Sequence, residues 1–167
     1  ITNSLQEDIN KNFYYYGPMF RRERPQSGRL RQFHQVGLEV FGERNFLDDV
    51  RIIILAEKFL SKLKIRKKLK LQINTLGDPK NRKRYISELQ KFFKTNFSKL
   101  SSESKKKIEI NPLRILDSKD EDDKKLFGNL PLIMDFLDSD SKEFFQEIKK
   151  MLISLDIKFD VNPFLVR

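Results

Sequence analysis

At 167 residues the chain has room for one ordinary domain, or for one core with a small appendage. The absence of cysteine excludes a disulfide scaffold and a thiolate zinc site, and a single histidine, His34, excludes a multi-histidine metal centre. The longest apolar runs, such as 52–56, fall far short of the ~20 residues that cross a bilayer, and the net charge of +10 admits either a polyanionic partner or a solvated lysine surface.

Residues 1–11 carry Ile1, Leu5 and Ile9 at the four-residue spacing of a helix face. Residues 13–21 are aromatic and extended in character, a strand. A loop follows at 24–29, punctuated by Pro25 and Gly28, and a second strand at 31–41, so the pair forms an antiparallel hairpin with an Arg-rich tip. Residues 47–64 read as a helix whose start Asp48 or Asp49 caps or favours, with Ile52, Leu55, Phe59 and Leu60 as its apolar stripe. Residues 69–76 alternate apolar and polar, a strand that Gly77-Asp78-Pro79 ends. From 80 to 155 the texture becomes Lys-, Ser- and Asp-rich, with helical patterns at 80–95, 99–108, 122–127, 131–137 and 140–155 and breaks at Asn111-Pro112 and Asp117-Ser118. Residues 157–166 return to strand character. The fold class is α+β: a sheet interrupted by a small, mainly helical insertion, with the division 1–77, 78–155 and 156–167.

Strand alternation sorts the hairpin into two faces. Gly17, Met19, Arg21 and Glu23 share one face of the first strand. Arg31, Phe33, Gln35, Gly37, Glu39 and Phe41 share one face of the second, while Val36, Leu38 and Val40 on its other face read as core. An inward row of Arg, Phe, Gln and Glu costs free energy unless a polar ligand lies on it. Arg21 can hold a phosphate, Phe33 offers a flat surface to a nucleobase, Gly37 lets a ligand approach the backbone, and Gln35 and Glu39 can bond an amine or a ring N–H. Phe33 to Glu39 spans about 20 Å of strand, the length of an elongated ligand. The tip adds Arg22, Arg24, Arg29 and Arg31 with no lysine between 21 and 31, as bidentate phosphate recognition favours. His34 points away from this face, and a packed, hydrogen-bonded structural role is the reading for it.

The stretch from Gly17 to Gly42, Gly-Pro-Met-Phe-Arg-Arg-Glu-Arg-Pro-Gln-Ser-Gly-Arg-Leu-Arg-Gln-Phe-His-Gln-Val-Gly-Leu-Glu-Val-Phe-Gly, closely resembles motif 2 of class II aminoacyl-tRNA synthetases in its histidine-specific form. Asn74-Thr-Leu-Gly77 resembles the strand end before that family's insertion. Asn111 to Lys119 resembles a signature within the insertion, and Leu165-Val-Arg167 resembles the start of the histidine-binding motif. The resemblance implies part of an antiparallel synthetase sheet with flanking helices. It implies that Arg21 and Arg167 act catalytically on the ATP α-phosphate, that Glu23 reads the adenine amino group, that Phe33 stacks on adenine and that Arg29 reaches the terminal phosphate. Gln35 and Glu39 become histidine ligands, Glu39 at the imidazole.

The substrates so implied are ATP with Mg²⁺ held mainly by its phosphates, L-histidine and tRNA(His), in a cytoplasmic homodimer. No residues are implied as protein ligands of a metal, and no membrane contact is implied. Neither an initiator Met nor a signal peptide opens the chain, and both ends look cut. The expectation is a central piece of a longer protein, inactive alone. Two rival readings stand beside it. One is the synthetase-like regulatory subunit of ATP phosphoribosyltransferase, against which Gln35, Glu39 and the 111–119 stretch argue. The other is a non-catalytic basic RNA-binding module, with lysines 105–107, 149 and 150 on the helices.

Overall fold

The computed structural model describes residues 11–22 and 28–166, so the helix expected at 1–11 lies outside it save for Lys11. The chain divides into two compact units, residues 1–58 and 59–167.

In the first unit, β-branched and aromatic residues draw 11–20 and 32–41 into extended backbone. β1 (Lys11–Phe20) and β2 (Gln32–Phe41) pair antiparallel from Lys11 opposite Phe41 to Phe20 opposite Gln32. One further bond, from the Arg21 amide to the Arg31 carbonyl at 2.9 Å, carries the ladder toward the tip. α1 (Phe46–Lys62) follows. Its cap is Asn45, whose Oδ1 accepts from the Leu47 amide at 2.9 Å. Asp48 and Asp49, expected to cap or favour the start, lie inside the first turn, where they favour the helix dipole and where Asp48 also pairs with Arg51 at 2.8 Å.

Val36 and Leu38 depart from expectation. They are 46% and 41% exposed, and on the same face Tyr14 and Tyr16 are 79% and 73% exposed. A two-stranded ribbon supplies no second layer of its own. Among the described residues of this unit, Val50 is the buried apolar side chain.

α1 ends in a Schellman motif. Lys64 takes φ +60°, and the Ile65 amide reaches the Leu60 carbonyl at 3.2 Å. The second unit's strand pairing is shorter than its alternation predicts: β3 (Gln72–Ile73) and β4 (Asp160–Val161) pair in parallel over two residues each. Pro163 has no N–H to extend a ladder, and the Asn162 side chain instead caps a turn by accepting from the Phe164 amide at 3.0 Å.

Between these strands the helices start where short polar caps stand. Asp78 caps α2 (Pro79–Thr95), Ser101 caps α3 (Ser102–Lys107), Asp120 caps α4 (Glu121–Lys125) and Asp138 caps α5 (Ser139–Ser154). The pattern expected as a helix at 131–137 is a single 3-10 turn, Ile133–Phe136, bounded by extended Leu132 and Leu137. α2 sends Tyr85, Leu89 and Phe93 inward at four-residue spacing, where they meet Leu113, Ile115, Leu126, Ile133 and Leu137. Burial pushes the Tyr85 phenol up to about 12.

Two buried polar knots fasten this core. Asn81 donates to Asp138 at 2.9 Å and to Ser141 at 3.1 Å, and accepts from the Asp138 amide at 3.0 Å, which ties the starts of α2 and α5. Asp123, wholly buried, accepts from Ser101, Ser104 and Ser118 at 2.6–2.9 Å, which joins the start of α3 to α4. A buried carboxylate with this many donors is satisfied without a counter-ion.

Candidate active-site ribbon

The register decides which side chains of the ribbon meet. Cross-strand partners share a face, so Phe13, Tyr15, Gly17 and Met19 of β1 stand with Glu39, Gly37, Gln35 and Phe33 of β2. The Arg21–Arg31 bond keeps Arg21 in the same phase. Arg21, Phe33, Gln35 and Glu39, singled out from the sequence, therefore line one face, with the arginine at the tip end and the glutamate at the far end. Gln35 and Glu39 are exposed, while Arg21 and Phe33 are half-buried.

Two contacts organise this face. The Arg21 guanidinium carbon lies 3.8 Å from the centroid of the Phe33 ring, a cation–π arrangement that holds the arginine's long side chain against a rigid support. The guanidinium covers one side of the ring, so a base stacking on Phe33 must use the other. Farther along, Gln35 Nε2 donates to the Tyr15 hydroxyl at 2.8 Å. A Cβ built on Gly37 would overlap the Tyr15 ring and hydroxyl, so the glycine makes room for a protein ring, and the open backbone expected there for a ligand is covered.

Sequence reasoning missed Tyr15. The available signal was an aromatic residue facing a glycine on a hairpin, and it becomes usable only once the register is known. Asn74 was noticed as part of a motif but given no role. Its Nδ2 donates to the carbonyls of Pro163 at 3.2 Å and Leu165 at 3.0 Å, pinning the segment that leads toward Arg167.

Arg29 is exposed, in a bridge just after Gly28. Glu23, Arg24 and Arg167 lie outside the described residues. His34 is on the opposite face, exposed, with its ring stacked on Tyr16 at 5.9 Å between centroids, so the packed role expected for it is a surface contact. A polar hollow of about 360 Å³, lined by Asn12, Val40, Asp48 and Arg51 among others, opens on that side as well. Among the described residues there is no cluster of three His, Cys, Asp or Glu that could hold a metal, and no helix is long and apolar enough to cross a membrane.

Of the lysines expected on a basic face of the helices, Lys107 pairs with Glu103 at 2.7 Å and Lys150 with Glu147 at 2.6 Å. Lys105 and Lys149 lie over the rings of Phe97 and Phe145. Exposed pairs of this kind are weak and leave such lysines able to exchange partners.

An arginine-bearing antiparallel ribbon followed by a helical unit is a part of the fold of a solved aminoacyl-tRNA synthetase. The crystal structure of apo histidyl-tRNA synthetase from S. aureus matches it with a TM-score of 0.74 at 31% identity, over 100% of this chain and 38% of that one. A sequence profile described as histidyl-tRNA synthetase matches residues 1–77. The histidine–tRNA ligase of Pediococcus pentosaceus is 48% identical over 154 residues, 92% of this chain and 36% of the relative. That of Rhodospirillum rubrum is 42% identical over 167 residues, 100% of this chain and 40% of the relative. The chain belongs to the histidyl-tRNA synthetase family. It spans well under half the length of the relatives it matches.

Proposed function

We propose that this segment supplies the ATP- and histidine-binding ribbon of a histidine–tRNA ligase, and that residues 78–155 form an insertion between the catalytic segments 1–77 and 156–167. The observation that carries the reading is the alignment of Arg21, Phe33, Gln35 and Glu39 along one accessible face. Laid along that face, the nucleotide has its α-phosphate at Arg21 and its adenine on the free side of Phe33, edge toward Glu23, with Arg29 toward the terminal phosphate. Histidine lies toward the far end of the ribbon, held by Gln35 and Glu39. ATP arrives with Mg²⁺ bound by its own phosphates.

In the first step a carboxylate oxygen of histidine attacks the α-phosphorus in line. The bond to the bridging oxygen of the β-phosphate breaks, pyrophosphate leaves, and histidyl-adenylate forms. In the second, the terminal ribose hydroxyl of tRNA(His) attacks the histidyl carbonyl carbon, the bond from that carbon to the phosphate oxygen breaks, and AMP and the hydroxyl proton leave. No protein proton is needed at the α-phosphate. Arg21 and Arg167 act by fixed charge, stabilising the negative charge that develops there, and the Phe33 ring under Arg21 reduces the reorganisation that step requires. The reaction belongs to the whole protein, a cytoplasmic homodimer in this reading. These 167 residues by themselves are inactive, consistent with relatives more than twice their length.

The test is histidine-dependent ATP–pyrophosphate exchange in the intact protein. Arg21→Ala should lower it about 10²- to 10³-fold. Wild-type exchange that ignores histidine, or an Arg21→Ala rate within threefold of wild type, would overturn the proposal. The regulatory-subunit reading has no observation in its favour.

A further inference from the structure

Tyr15 lies between the two residues assigned to histidine. The register puts it opposite Gly37, with the Gly17–Gln35 pair on one side and the Phe13–Glu39 pair on the other. Its hydroxyl accepts from Gln35 Nε2 at 2.8 Å, and its ring fills the space above Gly37. A primary amide has one donor end and one acceptor end, and an isolated amide turns readily between them. In this structure the NH₂ end donates to the Tyr15 hydroxyl, which leaves the carbonyl oxygen as the end presented to a ligand. A carbonyl oxygen accepts from an ammonium group, whereas an outward NH₂ would set donor against donor.

We propose that Tyr15 is a positioning residue of the amino-acid site: it orients the Gln35 amide so that Oε1 receives the substrate's α-ammonium, and Gly37 is glycine so that the Tyr15 ring can lie there. The inference rests on the reading of Gln35 as an amino-acid ligand. Tyr15 itself need not touch the substrate. Its effect is on discrimination, because the oriented oxygen favours a free amino group and makes no such contact with a histidine analogue that lacks one.

Steady-state exchange kinetics of the intact protein separate the possibilities. Tyr15→Phe, which keeps the ring and removes the acceptor, should raise the KM for histidine about tenfold, the low end of a lost hydrogen bond to a charged group, while the KM for ATP stays within twofold. Gly37→Ala, which displaces the ring, should act in the same direction. Gln35→Glu presents an oxygen whichever way it turns, so adding Tyr15→Phe to it should raise the histidine KM no further. If Gln35→Ala raises the histidine KM but Tyr15→Phe does not, or if Tyr15→Phe raises both KM values together, the orienting role is wrong while the assignment of Gln35 stands. If Gln35→Ala itself leaves the histidine KM unchanged, the underlying assignment fails and this inference with it.

Discussion

The ribbon and the helical unit distribute their side chains in opposite ways. On the ribbon, Arg21, Gln35 and Glu39 face outward on one side and Tyr14, Tyr16, Val36 and Leu38 on the other, and among its described residues only Val50 of α1 is a buried apolar group in that unit. In the helical unit Tyr85, Leu89, Phe93, Ile115, Ile133, Phe145 and Leu152 are all fully buried, and the polar groups that enter with them, Asn81 and Asp123, are saturated by partners. Outward polar groups and close packing thus occupy different stretches of one chain. A ligand face must keep its hydrogen-bonding groups unspent, and a core must spend all of them. The helical unit should therefore respond to substitution through stability, and the ribbon through binding.

The largest expected effect sharpens that division. Phe93→Ala removes a wholly buried ring from the end of α2 and should cost about 3–5 kcal/mol, read as lost hydrogen-exchange protection across α2. Tyr14→Ser on the exposed side of the ribbon should stay within about 0.5 kcal/mol. Equal losses at the two sites would erase the distinction.

Asp123 tests the division through pH. Burial pushes its carboxyl upward, but the hydrogen bonds from Ser104, Ser118 and Ser101 outweigh burial and hold it below the usual carboxylate value. A carboxyl lowered in the folded state contributes stability that is complete above its unfolded value, about pH 4, and is lost as the pH falls from there through the folded value. Protection in α3 and α4 should accordingly collapse in acid below about pH 4. Asp123→Asn should lower it by about 1–3 kcal/mol at neutral pH and flatten the acid dependence.

The smallest effect has the opposite sign. Lys64 closes α1 in the left-handed region at φ +60°, where a side chain is strained, so Lys64→Gly should stabilise the end of that helix by about 0.5–1 kcal/mol. A loss of stability on thermal melting would mean that the lysine side chain makes a compensating contact.

Much of the ribbon was legible because its cues are local. Period-two alternation separated Arg21, Phe33, Gln35 and Glu39 from Val36 and Leu38, and aromatic and β-branched content marked both strands. Asp78, Ser101, Asp120 and Asp138 start helices by chemistry that acts within three residues, although the pattern at 99–108 put Ser101 inside its helix. The errors came where a local cue had a competitor. Asn45 is the cap while Asp48 and Asp49 favour the start from within the first turn, and the alternation at 157–166 yielded only Asp160–Val161 because Pro163 and the Asn162 turn cut the ladder.

What the sequence by itself determined is which residue types alternate, where backbone bonding must start or stop, and that an arginine-rich tip separates two strands of like character, since these depend on neighbours a few bonds away. What only the tertiary structure decided is that Tyr15 meets Gly37 and Gln35, that Arg21 rests on Phe33, and that Asn81 joins α2 to α5. Each of those contacts joins residues 12 or more apart in the chain. Their meeting depends on the strand register and on how the helices pack, and alternation alone leaves the register open, because sliding the strands by two residues keeps every side chain on its face while changing every partner.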